Sequence, residues 1–295
     1  MTFINSEGKF NENTYLLDAE LFKMKYNLAI YIIEYDDTRL MIDTPSELMV
    51  RRFIKKLKNF NLYPIHKIIL THSHFDHVQG VEKLKKLIQE TDIEVYASKE
   101  ALKNLKNPEK MNEDYGYRVP PIEDIKPLNE GDFIDLDGLK LQILNFFGHT
   151  QDSIAILDKS NKNIFVGDAI IDKFDPFTPI PEFVPPDFVE SEYLKTIHRL
   201  KSLKKELNSI CLAHFGAWTG NDFIKIVDEV EQFHFDAKNS IIKWYNENPS
   251  LEYIAKKYHE KFTPKSTIHT KENIHGLELL LEWLIEGLKR MGEIK

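Results

Sequence analysis

Cysteine is almost missing from this chain. The 295 residues hold one, Cys211, which excludes an intramolecular disulfide and any cysteine-built zinc site. Long hydrophobic runs are missing as well. The longest, such as residues 27–33, are strand-sized and fall far short of a membrane span. Positive charge is in deficit, with 39 Lys and Arg against 47 Asp and Glu and a net charge of −8. That balance, with no compact basic tract, argues against a nucleic acid or an anionic membrane as the main partner. The opening residues 1–5 carry no basic segment followed by an apolar one, so no secretory peptide is expected and the cytoplasm is the expected compartment. What remains is an ordinary globular mixture, 42% hydrophobic and 29% charged, long enough for one large domain or two smaller ones. Eleven histidines against one cysteine is the imbalance that asks for an explanation.

Residue patterning predicts closely spaced strands at 14–17, 28–35 and 39–42, with Asp36-Asp37 as a hairpin turn. An amphipathic helix capped by Ser46 runs to about residue 60. A strand at 65–70, a helix at 78–89, a strand at 93–97 and a short helix through Leu105 then alternate as an α/β layer. Periodicity fails over 107–127, which holds Pro108, Pro120, Pro121 and Pro127 and reads as an irregular loop. Strands at 132–136, 139–146, 153–157 and 163–166 form a meander. Residues 172–189 hold five of the thirteen prolines and four phenylalanines, a second irregular stretch of a length that is usually functional. A helix at 190–207 and a last strand at 209–213 precede a helical composition from about 221 onward. The expected organisation is two βα-rich halves, 1–127 and 128–220, forming one catalytic domain of residues 1–220, and a helical C-terminal extension of residues 221–295.

Chemistry concentrates in Thr71-His72-Ser73-His74-Phe75-Asp76-His77, directly after the strand at 65–70. Residues two apart in extended chain point to one face, so His72 and His74 can converge on one metal ion. Asp76 and His77 fall where the chain turns into the next helix, which re-aims them toward a second ion. Four nitrogen and oxygen donors within six residues suit zinc.

This H-x-H-x-D-H at a strand end resembles the signature of the metallo-β-lactamase fold superfamily. Further positions match: His149 in Gly148-His149-Thr150, Asp168 in Gly167-Asp168-Ala169, and His214 in Ala213-His214-Phe215-Gly216. The resemblance covers roughly residues 1–220 and implies an α/β fold, an αββα sandwich with its site at one edge between the sheets. It implies one ion held by His72, His74 and His149, a second held by Asp76, His77 and His214, and a bridging Asp168, with Asp76 and Asp168 as the catalytic carboxylates. The cofactor expected is two zinc ions per chain, iron and manganese being the other metals such sites take. The implied reaction is attack of a metal-bridging hydroxide on an ester, thioester or lactone of a small-molecule substrate. Mononuclear-iron persulfide oxidation is the alternative, and phosphodiester or RNA cleavage ranks third. The bridging Asp168 and the lack of a spare cysteine disfavour the true lactamases, His74 disfavours the flavodiiron oxidoreductases, and the −8 charge disfavours the RNA-processing branch. Glyoxalase II and the lactonases are the branch most resembled. His214-Phe215-Gly216 departs from the His-Glu-Tyr usual in glyoxalase II, which weighs against a glutathione thioester.

Asp43, at the end of the strand 39–42, matches the aspartate that the superfamily places beneath the site, where it would orient a ligand. Thr71 and Thr150 either support the metals or cap locally. The loop 172–189, with Phe174, Phe177 and Phe183, reads as a hydrophobic substrate wall or as a packed connection. Tyr193 could reach a developing oxyanion, although its place at a helix start favours packing; Tyr115 and Tyr117 are weaker candidates. His269 and His275 would line the pocket if the final helix folds over it. The stripe Leu277, Leu280, Leu281, Leu284, Ile285 and Leu288 suits core or a homodimer contact.

Overall fold

The computed structural model describes residues 2–270 and 273–295. Strands Ala29–Tyr35 and Thr38–Ile42 are rich in β-branched and aromatic residues, and Asp36 and Asp37 between them take φ of 45° and 65°, the left-handed pair a tight hairpin requires. They lie inside a seven-stranded sheet ordered Gly8–Lys9, Thr14–Asp18, Ala29–Tyr35, Thr38–Ile42, Lys67–Leu70, Glu94–Ser98 and Ile125–Leu128. Pairing is antiparallel up to Thr38–Ile42 and parallel beyond it, where helical crossovers intervene. Period-two alternation sends Ile30 and Ile32 to a core shared with helices Val50–Asn59 and Val81–Leu87, while Tyr31 and Ile33 face the other sheet.

The second seven-stranded sheet runs Phe3–Ile4, Ala217–Thr219, Ser209–Leu212, Asn163–Gly167, Ile154–Asp158, Leu139–Asn145 and Phe133–Leu136. Its outer face is covered by Glu190–Leu203 and Gly220–Glu247 through Ile197, Leu200, Phe223 and Val227. Ile33, Leu40 and Ile42 of the first sheet share a core with Leu141, Ile143, Ile156 and Phe165 of the second. The layers are therefore αββα.

Several local expectations are corrected. Residues 107–127 are not wholly irregular: Pro108 precedes the helix Glu109–Tyr115, Gly116 closes it at φ 72°, and Ile125–Leu128 completes the sheet edge. The helix expected at 78–89 is two, Phe75–Val78 and Val81–Leu87. At the break, a Cβ on Gly80 would lie 2.3 Å from the Pro45 carbonyl oxygen. Strand Ser209–Leu212 is not the last, because the chain turns at Gly216 (φ 85°) into Ala217–Thr219. The loop 172–189 contains a small antiparallel pair, Asp172–Lys173 with Pro179–Ile180.

Beyond Gly220–Glu247, helices Leu251–Phe262 and His275–Arg290 fold back onto that loop. Leu277, Leu281, Leu284, Ile285 and Leu288 are buried with Phe174, Ile180 and Phe183. Polar ties add to the packing: the Tyr258 hydroxyl donates to the Pro179 carbonyl at 2.8 Å, Thr178 Oγ1 to Ser266 Oγ at 2.6 Å, and Thr267 Oγ1 to Asp175 Oδ2 at 2.9 Å. Gly287 lets the last helix approach so closely that a Cβ there would sit 2.0 Å from the Phe183 carbonyl oxygen. Among the described residues no helix is long and apolar enough to cross a membrane.

Candidate metal centre

Strand ends deliver the site. Lys67–Leu70 leads through Thr71 to His72 and His74, and the helix Phe75–Val78 carries Asp76 and His77. His149 follows Leu139–Asn145, Asp168 follows Asn163–Gly167, and His214 follows Ser209–Leu212. Gly167 (φ 54°) permits the close approach: a Cβ there would lie 2.6 Å from Thr71 Oγ1. The seven side chains meet around Asp168, whose Oδ2 is 3.1 Å from His77 Nε2, 3.7 Å from His72 Nε2, 3.8 Å from His149 Nε2 and 3.7 Å from His214 Nε2. His149 Nε2 and His74 Nδ1 stand 3.0 Å apart. Asp76 Oδ2 lies 3.7 Å from His77 Nε2 and 3.4 Å from His214 Nε2.

Hydrogen bonds on the outside of the cluster fix which nitrogen of each ring faces inward. The Tyr115 hydroxyl gives its one proton to the Pro185 carbonyl at 2.6 Å, so at 2.7 Å from His74 Nε2 it accepts. Nδ1 of His74 is thereby left with a lone pair. Thr71 Oγ1 donates to Asp43 Oδ2 at 2.8 Å and accepts from His72 Nδ1 at 3.1 Å. His77 Nδ1 donates to Asp43 Oδ2 at 2.9 Å, His149 Nδ1 to Glu182 Oε2 at 3.1 Å, and His214 Nδ1 to the Asn27 carbonyl at 2.5 Å. All five inner nitrogens thus face the centre of the cluster, His77 Nε2 at hydrogen-bond distance from Asp168 Oδ2. His72 Nε2 and Asp168 Oδ1 are buried with no hydrogen-bond partner. Groups of this kind, His72/His74/His149/Asp168 and Asp76/His77/His214, each bring their donor atoms within 4.8 Å of one another. Imidazole and carboxylate donors with their outer partners in place fit a divalent cation in each group.

Electrostatics divides the cluster. Burial, reinforced by neighbouring imidazoles, holds His72 and His74 well below the usual histidine range. Burial also opposes charge on His77, but Asp168, Asp76 and Asp43 overcome it and raise His77 well above that range. His214 is raised to about 10, burial being outweighed by Asp172 and Asp168. Asp168 is depressed despite burial, chiefly by His77 and His214.

The cluster floors a cavity of about 370 Å³. Phe174 lines it, as do Tyr115, Tyr117 and His269. Three expected pocket residues do not. Phe183 is fully buried in the core beneath the last helix. Phe177 is exposed and is not among the lining residues. Tyr193 packs under the second sheet, its hydroxyl donating to the Ile170 carbonyl at 2.5 Å, as a helix-start tyrosine with an apolar neighbourhood should. Thr150 bonds locally to Asp152 and Ser153, and His275 is a solvent residue paired with Glu278.

Residues missed from the sequence are Glu182, which holds His149, and Asp172 beside it. Burial pushes both well above the carboxylate range, helped by the Glu182 charge at Asp172 and the Asp168 charge at Glu182. The lone acid in the apolar run Ile180-Pro181-Glu182-Phe183-Val184 was the signal for it. Phe22, Met24 and Tyr26 also line the cavity, from a stretch with left-handed residues at Phe22, Lys23 and Tyr26.

A sequence profile described as the metallo-beta-lactamase superfamily matches residues 28–214. A hydroxyacylglutathione hydrolase of Haemophilus influenzae is 28% identical over 195 residues, 63% of this chain and 84% of that protein. An acyl-coenzyme A thioesterase of Gallus gallus is 25% identical over 130 residues, 39% of this chain, and the match spans 47% of the chicken protein. A solved structure described as a di-iron-bound form superposes with a TM-score of 0.55 at 24% identity, over 70% of this chain and 94% of the other. The profile match, over a sandwich whose strand ends bring seven donor side chains together, places this chain among the metallo-hydrolases of the metallo-beta-lactamase superfamily, to which it belongs.

Proposed function

We propose that the protein is a dinuclear zinc hydrolase of the cytoplasm that cleaves an ester, thioester or lactone of a small molecule. The observation that carries this reading is the tautomer set: five histidines with their outer nitrogens occupied and their inner nitrogens turned on two carboxylates. When bound, a pair of divalent cations polarises a carbonyl and lowers the pKa of water toward neutrality. The chain supplies the rest. Asp168 lies between the two donor groups and spaces them. Asp76 lines the cavity and is the carboxylate placed to take a proton from the attacking water and return it to the leaving alkoxide or thiolate. Cys211 is fully buried in the sheet, and Ser73 Oγ accepts from Asn104 rather than facing a base. Water is therefore the nucleophile. The completeness of the second donor group favours two ions over the single iron of a persulfide oxidation.

Metal analysis combined with turnover tests the reading. The expected result is about two zinc ions per chain with hydrolysis of an acyl ester, thioester or lactone, and Asp168→Ala lowering kcat/KM by ~100-fold or more. One iron per chain with sulfite formed from a persulfide overturns it.

A further inference from the structure

Exposed apolar side chains are normally scattered. Here they gather at one place. Twelve large hydrophobic side chains are exposed among the described residues, and six of them, Phe22, Met24, Tyr26, Tyr117, Leu279 and Trp283, rim the cavity above the donor cluster. They come from three separate parts of the chain: the 19–28 loop, the segment after the helix Glu109–Tyr115, and the last helix. Inside the rim the walls stay apolar, with Phe174, Ile180, Val184, Leu280 and Leu284. Cationic groups are scarce, Lys25 being the one lysine or arginine among the lining residues. Four acidic residues, Asp76, Asp168, Asp172 and Glu182, lie on the floor. Away from the donor cluster, where bound cations would themselves attract an anion, a carboxylate or a phosphate finds no basic cluster along the walls.

We infer that the cavity is a binding site for a long unbranched hydrocarbon chain, so that the substrate is a medium- or long-chain acyl compound with its carbonyl at the donor cluster. This rests on the hydrolase reading for the chemistry, but not for the binding. The occupant follows from the lining: one cavity holds the six exposed apolar rim residues, the apolar walls, and His149, Asp168 and His214. A chain seated there covers the rim and brings its polar end to the donor cluster on the floor. Each methylene removed from water adds about 0.8 kcal/mol of affinity until the cavity is filled.

Straight-chain methyl ketones from four to twelve carbons are the probes, because they are neutral, carry the carbonyl and cannot be hydrolysed. Calorimetric titration of the metal-loaded protein should show Kd falling about tenfold for every two methylenes added, with a plateau once the cavity is full. Trp283→Ala and Leu280→Ala should flatten that gradient, each lowering the ratio of long-chain to short-chain affinity by about tenfold. A Kd independent of chain length, or a gradient untouched by both variants, overturns the inference. In parallel, thioesters of N-acetylcysteamine from acetyl to dodecanoyl should show the same gradient in kcat/KM. Equal turnover across that series leaves the hydrolase reading standing and removes the chain site. A ketone gradient without turnover of any acyl compound keeps the chain site and removes the hydrolase reading.

Discussion

Two parts of the molecule hold the donor cluster, and they hold it differently. His72, His77 and His214 are oriented from the sandwich side: by Asp43 at the end of Thr38–Ile42, directly or through Thr71, and by the Asn27 carbonyl just before Ala29–Tyr35. His74 and His149 are oriented by the loop 172–189, through the Pro185 carbonyl with Tyr115 and through Glu182. That loop takes its own position from the C-terminal helices. The Asp76/His77/His214 group is therefore sandwich-held, while two of the three histidines in the other group depend on a loop that is itself steadied by helices beyond the matched region 28–214. The difference teaches that the donors of one site can be steadied by two separate parts of the chain, the sandwich on one side and a loop packed on the C-terminal helices on the other.

Asp43→Ala should have the largest effect, because Asp43 is buried and accepts from Thr71 N, Thr71 Oγ1 and His77 Nδ1. Removal leaves buried donors unpaired and should lower unfolding stability by about 3 kcal/mol, with binding of both ions weakened. Chemical denaturation and competitive metal titration read these out, and unchanged stability would break the account of the sandwich-held side.

Tyr115→Phe and Glu182→Gln address the other side. Each should weaken one of the two ions by about 10–100-fold and leave the other near its original affinity. Two-step titration against a chelator distinguishes this from equal weakening of both, which would erase the distinction drawn here.

Gly287→Ala should be milder. Its methyl group meets the Phe183 carbonyl at 2.0 Å, so loop and helix must separate, at about 1–3 kcal/mol of stability. If the loop orients His149 through Glu182, the same single ion should weaken a few-fold. Thermal unfolding with metal titration checks both, and a stability loss with metal binding untouched would uncouple the loop from the site.

The sandwich and its donors were legible because their signals are local and periodic. Ile30, Tyr31, Ile32 and Ile33 alternate between two cores, and His72, His74, Asp76 and His77 lie within six residues. The outer partners were less so. Two of them, at Asn27 and Pro185, are backbone carbonyls, which every residue type carries, so no composition marks them. Within 172–189 no period tells which phenylalanine faces where. Phe174 lines the cavity, Phe177 meets water and Phe183 is core, although all three sit in the same Pro-rich setting. Glu182 was hidden by that same apolar reading of its neighbours.

The single thiol has a use that lies outside catalysis. Cys211 has no exposed surface, donates to Asn163 Oδ1 at 3.3 Å, and burial pushes its pKa far above the ordinary thiol range. Alkylating reagents should therefore leave it unmodified in the folded protein, which mass spectrometry after labelling checks. A cysteine placed at exposed Leu279 would be the one reactive thiol of the chain. The natural sequence is in effect a pre-cleared background for site-selective labelling, ready to carry a fluorophore or spin probe at the cavity mouth after one substitution.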